Sequence, residues 1–255
     1  MAENDALLKD VLANPDDDGP RQAYAARLDA VGDPRGQFIG VQLRLARFDQ
    51  SPDAPTRTLH VLDSQSYLDR FGAEWAAQIA PLAAAYEFHR GFVERVTMTG
   101  REFMDRAPLL FSLAPIQHLD LKEVAGISRE LFQTPFLERI YSLDLNQCAL
   151  SDDDVSELAA SPHLGQLRWL SLAFNRITLA GAEALAASGQ LPKLQYVNWT
   201  GNPVDPGEQY AQDQGIIVDR WLPRAGQDLE ARYGNLPWLH LKARTTKEVP
   251  PTRFL

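Results

Sequence analysis

The chain has 255 residues, of which 45% are hydrophobic, and it carries a formal net charge of −9 at pH 7. The acidic balance argues against general affinity for nucleic acids, because such affinity needs a positive field along the phosphate backbone. The single cysteine, Cys148, excludes an intramolecular disulfide and a thiolate metal cluster.

The start of the sequence and its hydropathy give an expectation about the compartment. Residues 1–9 contain no basic segment followed by an apolar stretch, so they lack the pattern of a signal peptide. No apolar run approaches the roughly 20 residues that cross a bilayer as a helix. We therefore expect a cytoplasmic protein that makes no membrane contact.

Residues 1–90 have apolar positions at helical spacing, and we expect them to form a helical cap region at the N-terminus. Gly and Pro residues divide this region into separate segments. The predicted segments are a helix capped by Asn4 or Asp5 that ends at Asn14-Pro15, a helix from Pro20 to Gly32 that carries Tyr24, Leu28 and Val31, a helix from Asp33-Pro34 through Leu45, and helices around Leu59–Phe71 and Ala73–Ala85 separated by Gly72.

From Phe92 onward the pattern changes to short apolar alternations that repeat along the chain. Three copies start at Leu137, Leu164 and Leu191, at a constant interval of 27 residues, and each has the form L-x-x-L-x-x-L-x-L-x-x-N-x-L with conservative exchanges. A period of this length and form is typical of a leucine-rich repeat, in which stacked strand–helix units bury a common core. Less regular copies around Val96 and Leu119 bring the prediction to about five units over residues 91–204.

The repeat predicts the fold class and the parts of the core. We expect an α/β protein, a short solenoid with parallel strands on the concave face and helices on the convex face. Helices are predicted near Arg101–Leu113 and Ser128–Thr134.

Cys148, Asn175 and Asn202 share one repeat position, where a small or amide side chain satisfies backbone groups in the turn after the strand. We interpret Cys148 as a structural member of this row and not as a nucleophile.

Residues 205–255 depart from the repeat and are predicted to form a C-terminal cap and a tail. Such atypical ends shield the apolar cross-section of a solenoid. The predicted parts are a strand at Ile216–Val218, a helix at Gln227–Tyr233, a packing anchor at Pro237-Trp238-Leu239 and a basic terminal segment.

Side chains that alternate with the inward leucines are expected to face the concave side and to bind a protein or peptide partner. Trp169 and Tyr196 should lie next to each other there, as large aromatic residues ringed by polar groups. An alternative is that the C-terminal tail covers them. The full set predicted to contact a partner is His118, Asp120, Lys122, Asp144, Asn146, Trp169, Ser171, Tyr196 and Asn198.

Sequence motifs for catalysis are not present in the chain. It contains no P-loop, no dinucleotide-binding G-x-G-x-x-G after a strand, no H-E-x-x-H and no G-x-S-x-G. We therefore predict a non-enzymatic scaffold or adaptor without cofactor or metal. Two alternatives are an enzyme or accessory subunit that acts on a small molecule or precursor peptide through His118, Asp120 and Asp144, and a structural component of a larger assembly that uses the N-terminal helices.

Two stretches resemble known families. Residues 137–204 resemble the ribonuclease-inhibitor type of leucine-rich repeat. The N-terminal region is similar to the bacterial repeat-companion domain that precedes such repeats, through Leu7-Leu8, Asn14-Pro15-Asp16-Asp17-Asp18, Pro20-Arg21, Tyr24-Ala25, Leu28, Gly32-Asp33-Pro34-Arg35-Gly36, Phe38-Ile39, Gln42 and Arg90-Gly91-Phe92-Val93. That family usually has an Asp-Trp pair where this chain has Ala26-Arg27. The resemblance implies a cytoplasmic bacterial interaction protein and carries over no catalytic residue.

Overall fold

The protein is described here by a computed structural model that covers residues 2–48, 57–204 and 223–239. Within these ranges the helices are α1 (Ala2–Ala13), α2 (Asp18–Asp29), α3 (Pro34–Phe48), α4 (Arg57–Trp75), α5 (Gly100–Leu113), α6 (Ser128–Phe132), α7 (Asp152–Ala159), α8 (Leu179–Ala187) and α9 (Pro223–Tyr233). The strands are β1 (Ala85–His89), β2 (Phe92–Thr99), β3 (His118–Lys122), β4 (Ser142–Asp144), β5 (Trp169–Ser171) and β6 (Tyr196–Asn198). Short 3₁₀ helices lie at Pro135–Leu137 and Pro237–Leu239.

The molecule is an α/β protein in which N-terminal helices precede a sheet of six strands in chain order. β1 and β2 pair antiparallel, whereas β3 to β6 pair parallel and alternate with helices. The predicted α/β class is therefore confirmed. In the described ranges, no helix is both long and apolar enough to span a bilayer.

The chain divides into two compact units. The first unit contains Met1–Thr97 and Arg106–Gln117, and the second contains Met98–Asp105 and His118–Leu255. The predicted strand at Ile216–Val218 lies outside the described residues.

The core of the first unit forms where α1, α2 and α3 pack together. Tyr24 and Leu28 of α2, Ile39 and Leu43 of α3 and Phe92 of β2 belong to one buried cluster. Val31 was predicted as a further apolar contact of the second helix, and this prediction is wrong. It lies in the turn beyond the end of α2, and 59% of its surface is exposed.

α1 begins at Ala2, so the prediction that Asn4 or Asp5 caps the first helix is wrong and both residues lie inside it.

Two further predicted helix boundaries in the first unit are also wrong. α2 begins at Asp18, not Pro20, because the Asp17 carboxylate accepts a hydrogen bond from the Gly19 amide and caps the helix earlier. α4 is continuous through Gly72, which is buried inside it. The predicted helix at residues 73–85 does not form, because the chain turns over residues 76–82 and then enters β1.

A buried ion cluster fixes the start of α2 to strand β2. The side chains of Glu94 and Arg21 are both fully inaccessible, and their Oε1 and Nη2 atoms lie 2.6 Å apart. Arg90 contributes a second guanidinium group at 3.1 Å from Glu94, and His89 Nδ1 lies 2.7 Å from the other carboxylate oxygen. Nη2 of each arginine also donates to the carbonyl oxygen of Pro15 at 2.8 Å, so the cluster binds the loop before α2 as well.

The contacts within the cluster shift the pKa values of Glu94 and Arg21. Burial alone would raise the pKa of Glu94, but the hydrogen bond and charge of His89 and the charges of Arg21 and Arg90 lower it from 4.5 to about 2. Burial lowers the pKa of Arg21 to about 10, partly offset by Glu94, so this guanidinium remains charged at neutral pH. His89 and the two arginines therefore keep Glu94 ionised.

Glu94→Gln should lower the free energy of unfolding by about 3–5 kcal/mol at neutral pH, since it leaves the buried Arg21 charge unpaired. Because the folded pKa of Glu94 lies below its ordinary value, its stabilisation is complete above pH 4.5 and is lost as the pH falls toward 2. Urea unfolding of both proteins between pH 2 and 7 measures this difference. An equal difference in stability across that whole range would contradict the assignment.

Candidate binding face

The parallel strands of the second unit align the predicted face residues in register. Leu119, Leu143, Leu170 and Val197 are successive Cα partners, and all four side chains are buried. The side chains that alternate with them define what we call the polar face. This face consists of His118, Asp120, Lys122, Ser142, Asp144, Asn146, Trp169, Ser171, Ala173, Tyr196, Asn198 and Thr200.

Trp169 and Tyr196 are direct Cα partners on β5 and β6, and both side chains are half-buried. Neighbouring strands lie about 4.8 Å apart, so the two rings occupy adjacent sites on one face. Residues 205–222 and 240–255 lie outside the described residues. The alternative that the C-terminal tail covers these rings therefore stays a prediction.

Much of the polar face is buried, although the alternation of residues predicts only which side of the sheet these side chains occupy. Ser142 and Ser171 are inaccessible, and His118 and Asp144 each expose only 8% of their surface. The reason is a set of hydrogen bonds across neighbouring strands. His118 Nδ1, for example, lies 2.8 Å from Ser142 Oγ.

Asn146 links β4 to β5 on the polar face, and Ser171 extends the network to β6. Its Oδ1 accepts hydrogen bonds from Ser171 Oγ and from the Ala173 amide, both at 2.7 Å. Its own Nδ2 donates to Asp144 Oδ2 at 3.0 Å, and Asn198 Nδ2 donates to Ser171 Oγ at 3.1 Å. These bonds fix the orientation of the side chains around the two aromatic residues.

Asp120 and Asp144 are Cα partners, so two carboxylates lie side by side. Lys122 compensates this charge, since its Nζ lies 2.6 Å from Asp120 Oδ1. Burial disfavours the charged form of Lys122, but the hydrogen bond and charge of Asp120, together with the charge of Asp144, outweigh burial and raise the pKa. The lysine therefore stays protonated and holds the acidic pair in place.

The buried row formed by Cys148, Asn175 and Asn202 satisfies backbone groups in successive turns. Asn175 Oδ1 accepts from the Leu150 amide at 3.0 Å, and its Nδ2 donates to the carbonyl oxygens of Leu145 and Leu172. Asn202 makes the equivalent bonds one repeat later, to the Ile177 amide and to the carbonyl oxygens of Leu172 and Trp199.

Cys148 occupies the same position with a weaker donor. Its Sγ lies 3.2 Å from the carbonyl oxygen of Leu121. Burial raises the pKa of this thiol, so the uncharged form dominates at neutral pH and the side chain is a poor nucleophile.

A second row in the turns was not predicted from the sequence. Glu123, Gln147, Phe174 and Gly201 occupy one repeat position, and all four have positive φ angles between 55° and 72°. The Phe174 ring is 58% exposed and lies over Gly201, where an added Cβ would overlap the ring. The glycine at the last of these positions is the only sequence signal that indicates the left-handed conformation.

The C-terminal part of the described chain covers the last strand. Trp238, in the 3₁₀ helix that was predicted as a packing anchor, is 4% exposed, and its ring centroid lies 6.1 Å from that of the buried Trp199. On α9, Arg232 and Tyr233 both bond to Glu183 of α8. A helix is confirmed here, although α9 begins at Pro223 and not at the predicted Gln227, and the burial of Trp238 confirms the predicted anchor.

No family model matches this chain, and no curated protein matches its sequence.

Asn175→Ala should lower the free energy of unfolding by about 3 kcal/mol, because the buried Leu150 amide and two carbonyl groups lose their partner. The exposed amide Gln195 provides a control, and Gln195→Ala should change stability by less than about 0.5 kcal/mol. Denaturant unfolding measures both. Equal effects would show that the Asn175 side chain does not support the turns.

Gly201→Ala should be destabilising by more than about 1 kcal/mol, since alanine is strained at φ +72° and its Cβ overlaps Phe174. Gly126→Ala is the matched control, because φ is +83° there and nothing lies within 4 Å of the added Cβ. Thermal unfolding should show a larger loss at position 201, and adding Phe174→Ala should remove the excess. An excess that persists without the phenylalanine ring would contradict the packing argument.

Proposed function

We propose that this chain is a non-enzymatic binding protein of the bacterial cytoplasm, a short leucine-rich-repeat solenoid that holds a protein or peptide partner on its polar face. The repeat-companion resemblance of the N-terminal region supports the same assignment. The observation that carries the proposal is the register that makes Trp169 and Tyr196 direct neighbours.

Two features favour binding at this aromatic pair. Large aromatic side chains contribute most to affinity when they are partly exposed and surrounded by polar groups that exclude water around the contact. The hydrogen bonds of Asn146 and Ser171 hold the surrounding side chains in fixed positions before a partner arrives. Such preorganisation reduces the entropy that is lost on binding.

The arrangement of the titratable groups gives less support to the alternative of an enzyme or accessory subunit. His118 is buried against Ser142, Asp120 pairs with Lys122, and Asp144 accepts two bonds from Asn146. A general acid or base must reach a substrate proton directly or through one water. His118 is therefore engaged across β3 and β4, and the two carboxylates are engaged along their own strands.

The proposal predicts that Trp169→Ala combined with Tyr196→Ala strongly weakens partner binding while the fold persists. Each hot-spot ring contributes about 2 kcal/mol, so the pair should weaken binding by about 10³-fold. The measurement is affinity purification from the native host with tagged wild-type and variant chains, followed by titration with the partner identified. Circular dichroism and thermal unfolding establish that the variant is folded.

Tyr86→Ala provides a matched control, since this tyrosine is also half-buried but lies on β1 of the first unit. It should retain the partner with unchanged affinity. If the double variant binds the same partner as tightly as the wild type does, the polar face is not the binding surface.

A further inference from the structure

A groove runs between α2 and α4 along α3 in the first unit. Both outer helices pack on α3, and the open space between them has a volume of about 700 Å³. One wall is the face of α2 that carries Ala26 and Asp29, and the other is the face of α4 that carries Asp63 and Arg70. Gly40 and Arg44 of α3 line the floor. Such a space is where the next helix of a bundle would lie.

Contacts across the three helices show which residues share each end of the groove. Tyr67 of α4 donates to Gln37 of α3 at 2.6 Å, and Gln42 donates to Ser64 at 2.9 Å, so α3 and α4 run antiparallel. Arg44 therefore lies at the same end as Asp63. At the other end Gly36 packs against Asp29, which places Asp29 near Arg70.

The floor of the groove has space for a larger side chain at Gly40. A Cβ on Gly40 would meet only the end of the Arg44 side chain, at 3.6 Å, and the backbone there is helical. Glycine weakens a helix relative to alanine, and no neighbour in this unit requires its small size. The glycine thus keeps the floor low enough for another helix to approach closely.

One wall of the groove continues into exposed aliphatic side chains. Leu59 and Leu62 of α4 expose 60% and 62% of their surface. They precede Asp63, Ser66 and Arg70 at intervals of three and four residues and so extend the same helix face. Large exposed apolar side chains next to a groove are typical of an interaction surface.

The charged residues of the groove have a self-complementary order. Asp29, Arg44, Asp63 and Arg70 are all exposed. Among the described residues, Asp29, Arg44 and Asp63 make no side-chain hydrogen bond or ion pair within the chain. Asp63 and Arg70 stand two turns apart on one face of α4, at equal distances from a point between Ser66 and Tyr67.

We propose that this groove binds α4 of a second copy of the chain, so that two α3–α4 helical pairs close into a four-helix bundle with two-fold symmetry. An antiparallel contact of the two α4 helices, centred between Ser66 and Tyr67, places Asp63 of each copy opposite Arg70 of the other. In a two-fold interface every such pair occurs twice. The partner helix lies over Gly40 and covers Leu59 and Leu62.

The remaining charges support the same arrangement. Because α4 of the second copy runs antiparallel to the first, its Arg70 approaches the end that holds Asp63 and Arg44. Asp29 of the second copy lies near its own Arg70 and therefore reaches the same end of the bundle. At each end, these four groove residues then contribute two carboxylates and two guanidinium groups, whose charges cancel. Complementary charge of this kind selects one alignment of the helices.

Charge reversal on the full-length chain tests the proposal by sedimentation velocity over a wide concentration range. The wild type should form a dimer, and Asp63→Arg or Arg70→Asp alone should weaken it by at least about tenfold, because like charges then face each other twice. The double reversal should restore it. An equimolar mixture of the two single variants should form heterodimers, since both facing pairs are again opposite in charge. Asp10→Arg, an exposed reversal on α1, is the control and should leave the dimer unchanged.

The sedimentation results either support the dimer or contradict it. Weakening by each single reversal, together with recovery in the double variant or the mixture, supports the proposal. A wild-type chain that remains monomeric at every concentration overturns it, and so does a dimer that neither reversal affects. Circular dichroism shows whether each single variant folds. If one does not, two other variants test the proposal: the double charge reversal must dimerise, and Leu59→Ser combined with Leu62→Ser must not.

Discussion

The register of the parallel strands is the constraint on which the second unit depends. Each strand buries an inward leucine or valine against its neighbour, and each turn is closed by a side chain that bonds backbone groups of two repeats. The amide of Asn175 connects the turn of its own repeat to Leu145 in the previous one. A shift by one residue would turn the leucines outward and leave these amides without partners, so the register cannot vary. The polar face, with Trp169 beside Tyr196, follows directly from that alignment.

The same alignment explains why the polar face combines fixed and accessible parts. Short polar side chains such as Ser142 and Ser171 are buried because their partners lie on the adjacent strand. The longer side chains of Trp169 and Tyr196 extend further and remain half-exposed. The hydrogen-bond network thus supplies rigidity, whereas the aromatic rings supply contact area. This division of roles is what the proposed binding function requires.

A different interaction holds the first unit together. Glu94 gathers Arg21, Arg90 and His89 around a carboxylate without solvent access, and this joins the loop before α2 to β2. Buried ion pairs add little net stability compared with apolar packing, but the loss of one partner is costly. The cluster therefore fixes the start of α2 against β2. The groove along α3, with the charges of α4 at its rim, lies in the same unit.

The sequence was sufficient where a period or a strong local signal determines the structure. The interval of 27 residues predicted the pairing of Leu170 with Val197 and the shared position of Asn175 and Asn202. Likewise, Trp238 was expected to pack against the repeats, and it contacts Trp199.

Features that depend on distant contacts were not predictable. β1 was missed because the alanine-rich segment before it favours a helix, whereas its pairing with β2 is a tertiary interaction. The burial of His118 and Asp144 was missed because alternation predicts which face a residue occupies but not how deeply it is covered. The left-handed conformation of Phe174 was missed because a bulky residue seldom adopts it.

The central claim, that the 27-residue alignment sets the polar face, can be tested by measuring scalar couplings across backbone hydrogen bonds by NMR. The structure places the Leu172 amide 2.9 Å from the Asn198 carbonyl oxygen and the Leu145 amide 2.8 Å from that of Ser171. Couplings between the Leu172 nitrogen and the Asn198 carbonyl carbon, and between the Leu145 nitrogen and the Ser171 carbonyl carbon, should therefore be observed. Couplings displaced by one residue along β5 or β6 would place Trp169 and Tyr196 on different faces and contradict the account.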